Sequence, residues 1–248
     1  MKAKYTFILL LSMSFTLMFS QQKFHIHEDV VKPSMTAEYE AVLAEFNKLT
    51  KEHPIEDFNM MVFQGSDNHY FYISPIESHA DLDKPSPIAM LAEKAGKDKV
   101  YALFDRMDKC YDTERDYVLV LDNDLSYMPD GMTLTPEGQN YREHYKIYVS
   151  PGNRNEVQEK MAAVRKMFAD NQSKMHYRVY KSGFGTEAEF YLVSVAAADE
   201  LDMAQKSKAN RELMGDDGQS MMFEMFQTTL NIVETEGFMR PELAVTSN

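Results

Sequence analysis

Val31-Lys32-Pro33-Ser34 and Val149-Ser150-Pro151-Gly152 open two stretches of the chain that run in step, 118 positions apart. At the same spacing Phe46-Asn47-Lys48-Leu49 meets Val164-Arg165-Lys166-Met167. With shifts at turns, where insertions are tolerated, Val62-Phe63-Gln64 meets Val179-Tyr180-Lys181 and Phe71-Tyr72-Ile73 meets Phe190-Tyr191-Leu192. Leu82-Asp83 then meets Leu201-Asp202, and Tyr127-Met128-Pro129-Asp130 meets Met239-Arg240-Pro241-Glu242. Repeated units that cannot bury an apolar face alone are expected to cover one another, so this repeat governs the reading of everything between its matches.

Each unit reads strand, helix, strand, strand, helix, strand. In the first, Phe24 to Val31 alternates, and Tyr39, Val42, Leu43, Phe46 and Leu49 then recur at helical spacing. Phe58 to Phe63 and Tyr70 to Ile76 are strand-like runs around a polar turn, and Val100, Leu103, Phe104, Met107 and Tyr111 form a second helical stripe. The second unit repeats this with Val157 to Phe168, Met175 to Tyr180, Glu189 to Val195 and a helix around Met221 to Phe226. The Gly- and Pro-bearing stretch between Asp130 and Gly138 is the connector. The expected organisation is therefore a leader over 1–20, one unit over 21–131, a linker over 132–142 and a second unit over 143–248.

A βαββαβ order is that of a ferredoxin-like unit, with a four-stranded antiparallel sheet and helices on one face. The expected fold class is α+β: tandem ferredoxin-like repeats packed sheet to sheet as a pseudo-dimeric α/β barrel, needing no second copy to close it. On element order and the Pro-acid strand endings, the chain resembles the dimeric α/β-barrel superfamily, and most of all its antibiotic-biosynthesis-monooxygenase-like and NIPSNAP-like members. The resemblance implies a fold shared by cofactor-free oxygenases, haem-handling proteins and small-molecule isomerases. It carries no catalytic signature, and fold alone does not name an activity.

The first residues, MKAKYTFILLLSMSFTLMFS, place Lys2 and Lys4 ahead of an apolar run from Phe7 to Phe19 and end on Ser20. This is the pattern of a secretory signal peptide, and cleavage after Ser20 would deliver the chain to the periplasm or the medium. Ser12, Ser14 and Thr16 interrupt the run, which argues against a spanning anchor. With 39 acidic residues against 26 basic ones and a net charge of −13, nucleic acid and anionic membranes are excluded as partners. Cys110 is the only cysteine, so no internal disulfide forms; it reads as a small core residue.

Chemistry is sought on the strand faces. Parity places Phe71, Ile73, Phe190 and Leu192 under the helices, and Tyr70, Tyr72, Glu189 and Tyr191 between the sheets. Asn59, Met61 and Phe63 would share that inner space with His176, Arg178 and Tyr180, and His25, His27 and Asp29 with His144, Lys146 and Tyr148. His25-x-His27 is a candidate metal pair, because side chains two apart on a strand project together; Asp29 or His144 would supply a third ligand. His53, His69 and His79 read as surface residues. Asp122-Asn123-Asp124 lacks the Gly and Glu of a calcium loop, and no nucleophile elbow or phosphate loop occurs.

The expected ligand site is the inner space of the second unit, lined by His144, Lys146, His176, Arg178, Tyr180 and Tyr191, with Tyr72 facing it. A cationic cluster in an acidic protein suits an anionic or carbonyl-bearing small organic molecule. No cofactor is expected. The leading reading is a binding module; the alternative is a cofactor-independent monooxygenase or isomerase with His176 as base.

Overall fold

The computed structural model describes residues 21–246, so the leader lies outside the described residues. In chain order the elements are β1 (Lys23–Val31), α1 (Thr36–Glu52), β2 (Met61–Gly65), β3 (His69–Ile76), α2 (Pro87–Ala95), α3 (Lys97–Met107) and β4 (Tyr111–Tyr127). There follow β5 (Tyr141–Tyr148), α4 (Arg154–Asp170), β6 (Tyr177–Ser182), β7 (Phe190–Ala197), α5 (Glu200–Gln227) and β8 (Asn231–Met239). The strands form one closed barrel in the order β1-β3-β2-β8-β5-β7-β6-β4, with every neighbouring pair antiparallel.

Closure is local: β4 changes partner along its length, and β8 is shared between β5 and a short stretch of β2. β4 runs against β1 as far as Val120 and against β6 from Leu119 onward. β8 pairs with β5 along its whole length and meets β2 only at Phe63↔Met239, Gln64↔Phe238 and Gly65↔Gly237. The eight strands therefore close into one sheet, with no open edge among the described strands.

Three apolar clusters fill the layers. Tyr39, Val42, Phe46, Val100 and Leu103 pack with Val62, Tyr70 and Tyr72 beneath α1, α2 and α3. Val157, Met161, Val164 and Met203 pack with Ile147, Val179 and Tyr191 beneath α4 and α5. Phe24, Ile26, Leu119, Leu121, Phe190 and Leu192, with Phe71 and Ile73 against them, fill the barrel itself. Cys110 is buried in the first of these.

The face assignment made from parity is thus reversed on three strands. On β3 and β7 it is Phe71, Ile73, Phe190 and Leu192 that point inward, while Tyr70, Tyr72 and Tyr191 lie under helices. Both faces of a barrel strand are buried, so alternation of large residues carries no sign. Tyr70 and Tyr72 tolerate the helix side because their hydroxyls are satisfied: Tyr70 Oη donates to Glu40 at 2.7 Å, and Tyr72 Oη is 2.6 Å from Tyr39 Oη. On β1, Phe24, Ile26 and Glu28 face inward, and His25, His27 and Asp29 face out, away from His144. Glu189 pairs with Arg154 at 3.3 Å outside the interior. One helix and one boundary also differ: α2, capped by Ser86, was not foreseen, and β5 begins at Tyr141, inside the expected linker.

Candidate functional site

The barrel encloses a cavity of about 60 Å³ whose walls differ in chemistry. Phe24, Ile26, Met61, Ile73 and Leu119, from the first half of the chain, make an apolar side. Arg142 and His144 on β5, Arg178 and Tyr180 on β6, and Ser194 on β7 make a polar side. Alternation carries Arg142, His144 and Lys146 to one face of β5, and Arg178 and Tyr180 to one face of β6.

The connector between the halves reaches this cavity. Leu134 packs into the barrel cluster, and the backbone around it is held by the two arginines. Arg178 Nη1 donates to the Thr133 and Leu134 carbonyls at 2.9 and 3.0 Å, and Nη2 to Ser194 Oγ at 3.2 Å. Arg142 Nη1 donates to the carbonyls of Gln139 and of Tyr141, and Nη2 to that of Leu134 at 3.3 Å. Each arginine is only 2% exposed. Among the described residues neither has a carboxylate within ion-pair distance, and Arg178 Nε has no hydrogen-bond partner at all. Burial, and then Arg178 nearby, lowers the Arg142 pKa to about 10; burial also lowers that of Arg178. Two guanidiniums have thus been taken out of water without a counter-charge, an arrangement that costs free energy unless an anion completes it.

His144 faces Ser194 across β5 and β7, with its ring 4.3 Å from that of Phe63. Burial first, then the charges of Arg142, Arg178 and Lys146, lower its pKa to about 3, so it is neutral at physiological pH. Lys146 Nζ sits 5.7 Å from the ring centres of Phe71 and Phe190. It faces a second polar group in the barrel: Glu28 Oε1 accepts from His69 Nδ1 at 2.7 Å and Arg115 Nη1 at 3.1 Å. His69 is thus structural, not a surface residue. Burial opposes ionisation of Glu28, but His69, Lys146 and Arg115 outweigh it and hold its pKa low.

Of the residues singled out in the sequence, the structure brings His144, Arg178 and Tyr180 together at the cavity. Tyr72 and Tyr191 stand on the opposite side of their strands, under helices. His176 precedes β6; its ring packs edge-on against Tyr127 at 5.7 Å, and Nε2 is 4.0 Å from Asp130. It does not line the cavity, and burial lowers its pKa. His25 and His27 lie on the outer face of β1 beside Asp116. Arg142, Ser194 and Leu134 were missed. Extending the alternation of His144 and Lys146 back by two residues would have found Arg142.

No protein-family model matches the sequence, and no curated protein matches it. Solved structures do. An anthrone oxidase-like protein superposes with a TM-score of 0.61 at 11% identity, over 89% of this chain and 92% of its own. A candidate monooxygenase from Lactobacillus acidophilus gives 0.54 at 12%, over 92% and 97%. Chlorite dismutase from Candidatus Nitrospira defluvii gives 0.51 at 9%, over 91% and 94%. At such identities the likeness concerns the fold, and the chain has the α+β barrel architecture these proteins share.

Proposed function

We propose that the chain is an exported barrel module that binds a small anionic or carbonyl-bearing molecule between Arg142, Arg178, His144 and Tyr180. The observation that carries this reading is the pair of buried arginines without carboxylates, one with an unpartnered Nε, at the wall of a cavity. About 60 Å³ admits only a few water-sized groups, on the order of three to five heavy atoms. Formate, nitrite, chlorite or acetate are of that size. Chlorite dismutase, one of the fold neighbours, is named for such an oxoanion. A haem, as handled by some members of the fold family, does not fit: ligand pockets of that class need roughly 300 Å³ or more.

Binding is favoured over catalysis because His144, the one histidine among the described residues that line the cavity, has a pKa of about 3 and is a poor general base near neutrality. The two halves carry the same strand order, β4-β1-β3-β2 and β8-β5-β7-β6, which supports reading them as fused copies of one ferredoxin-like unit. In that reading one copy has kept an apolar wall and the other has acquired the cations. Export rests on the leader pattern; intact-mass measurement of the secreted product should give Gln21 as first residue, and a retained leader would refute it.

The binding reading is tested by thermal shift and calorimetry with these anions. A bound anion at a hundredfold excess over its Kd should raise Tm by roughly 5–10 °C. Arg178→Met and Arg142→Met should abolish the shift. Equal shifts in all three proteins, or a preference for benzoate over formate, would place binding elsewhere.

A further inference from the structure

On the outer face of the barrel, pairing of β1 with β4 sets His27 opposite Asp116 and Asp29 opposite Glu114. One atom each from His27, Asp29 and Glu114 lies within 4.8 Å of the others. Asp29 is 1% exposed, and its two oxygens differ. Oδ2 accepts from Tyr39 Oη at 2.5 Å, and Tyr39 Oη is itself 2.6 Å from Tyr72 Oη. Oδ1 has no hydrogen-bond partner and faces His27 Nε2 at 3.2 Å. The other ring nitrogen of His27, Nδ1, is 3.1 Å from Asp116 Oδ1, which also meets His25 Nε2 at 2.9 Å.

We propose that His27 Nε2, Asp29 Oδ1 and a Glu114 carboxylate oxygen bind one divalent transition-metal ion. Imidazole with carboxylates suits zinc, cobalt, manganese or iron, whereas calcium and magnesium prefer oxygen alone. Around an ion with bonds of about 2.0–2.2 Å, tetrahedral ligand atoms stand about 3.3 Å apart. His27 and Asp29 already do, and Glu114, exposed and with a long side chain, closes the third side. The surroundings are those of ligands held in place from behind. Nδ1–H of a ligating histidine donates to a carboxylate, here Asp116, and the aspartate's non-ligating Oδ2 is fixed by the Tyr39 hydroxyl. Three protein ligands leave a position for water.

The site is independent of the barrel cavity and can be tested apart from it. The mature chain, stripped with chelator, is titrated with Co²⁺ and followed by its visible absorption, then with Zn²⁺ by calorimetry. One ion per chain, with the spectrum of low-coordinate cobalt, is expected. His27→Ala should abolish binding. Asp116→Ala, which removes the acceptor facing Nδ1 and His25 but no ligand, should weaken it by about 10–100-fold. Glu114→Gln alters an exposed side chain, so it tests the proposal without risk to folding; it should weaken binding at least tenfold. Arg178→Met should leave it unchanged. Absence of saturable binding, or equal affinity in wild type, His27→Ala and Glu114→Gln, would overturn the assignment.

Discussion

Gly237→Ala should destabilise the chain by on the order of 4 kcal/mol, in the range reserved for forced backbone displacement. At position 237 a Cβ would lie 2.0 Å from the Gln64 carbonyl oxygen and 2.8 Å from the Gly65 Cα. Both are backbone atoms, so no rotamer change relieves the clash, and β8 must move away from β2. That seam has only three residue pairs, and Gly65↔Gly237 is one of them. Its loss would open the barrel beside Met239, a lining residue of the cavity. A fall in Tm of roughly 8–16 °C is expected, on the usual scaling for a chain of this size. Gly152→Ala is the control, because its Cβ would meet nothing closer than Ser150 Oγ at 3.7 Å. Equal melting of the two variants would show that the seam does not hold the halves together.

Acid should destabilise the protein through His144. The unfolded chain takes up a proton at an imidazole pKa near 6.5, whereas the folded chain resists until about 3. Between those values the unfolded state binds more protons, so stability falls as pH drops, by about 1.4 kcal/mol per pH unit. Carboxylates whose pKa is held low by partners, such as Glu28 and Glu40, add losses of the same sign nearer their own range. Urea denaturation of wild type and His144→Phe at pH 6.0, 5.25 and 4.5 separates the contributions. The wild-type slope should be steeper by about 1.4 kcal/mol per unit. Parallel slopes would mean that His144 titrates in the fold as it does in the unfolded chain. An anion bound beside His144 would favour the imidazolium, so saturating formate should flatten the wild-type slope.

The α+β barrel class was legible in the expected alternation of strands and helices, which the observed element order matches at most positions. Periodicity located α1, α4 and most strands, since their buried stripes are long and regular. Faces were harder. In an open sheet Tyr70 and Tyr72 would mark the polar side, but here each hydroxyl has a partner, half-buried Glu40 or buried Tyr39, from a helix distant in sequence. The same long-range pairing reversed His25, His27 and Asp29, whose partners Asp116 and Glu114 lie on β4. Strand parity relates residues within a strand; only the closure of the sheet decides which side is inside. The polar wall was legible in His144, Arg178 and Tyr180, which fall at alternating positions of β5 and β6. Arg142 was lost to a linker boundary set by Gly and Pro content. The tucking of Leu134 into the barrel leaves no local signal, because it depends on carbonyls that the two arginines reach from other strands.

The account turns on whether the unpartnered Arg178 Nε faces an anion site. Nitrogen-15 labelling of arginine side chains makes that proton directly visible by NMR, and Arg178→Met assigns its signal. On titration with formate the Arg178 Nε–H resonance should shift in a saturable way, at the same midpoint as the thermal stabilisation. An Nε–H signal that stays fixed while an exposed arginine such as Arg211 responds to the added salt would contradict the site.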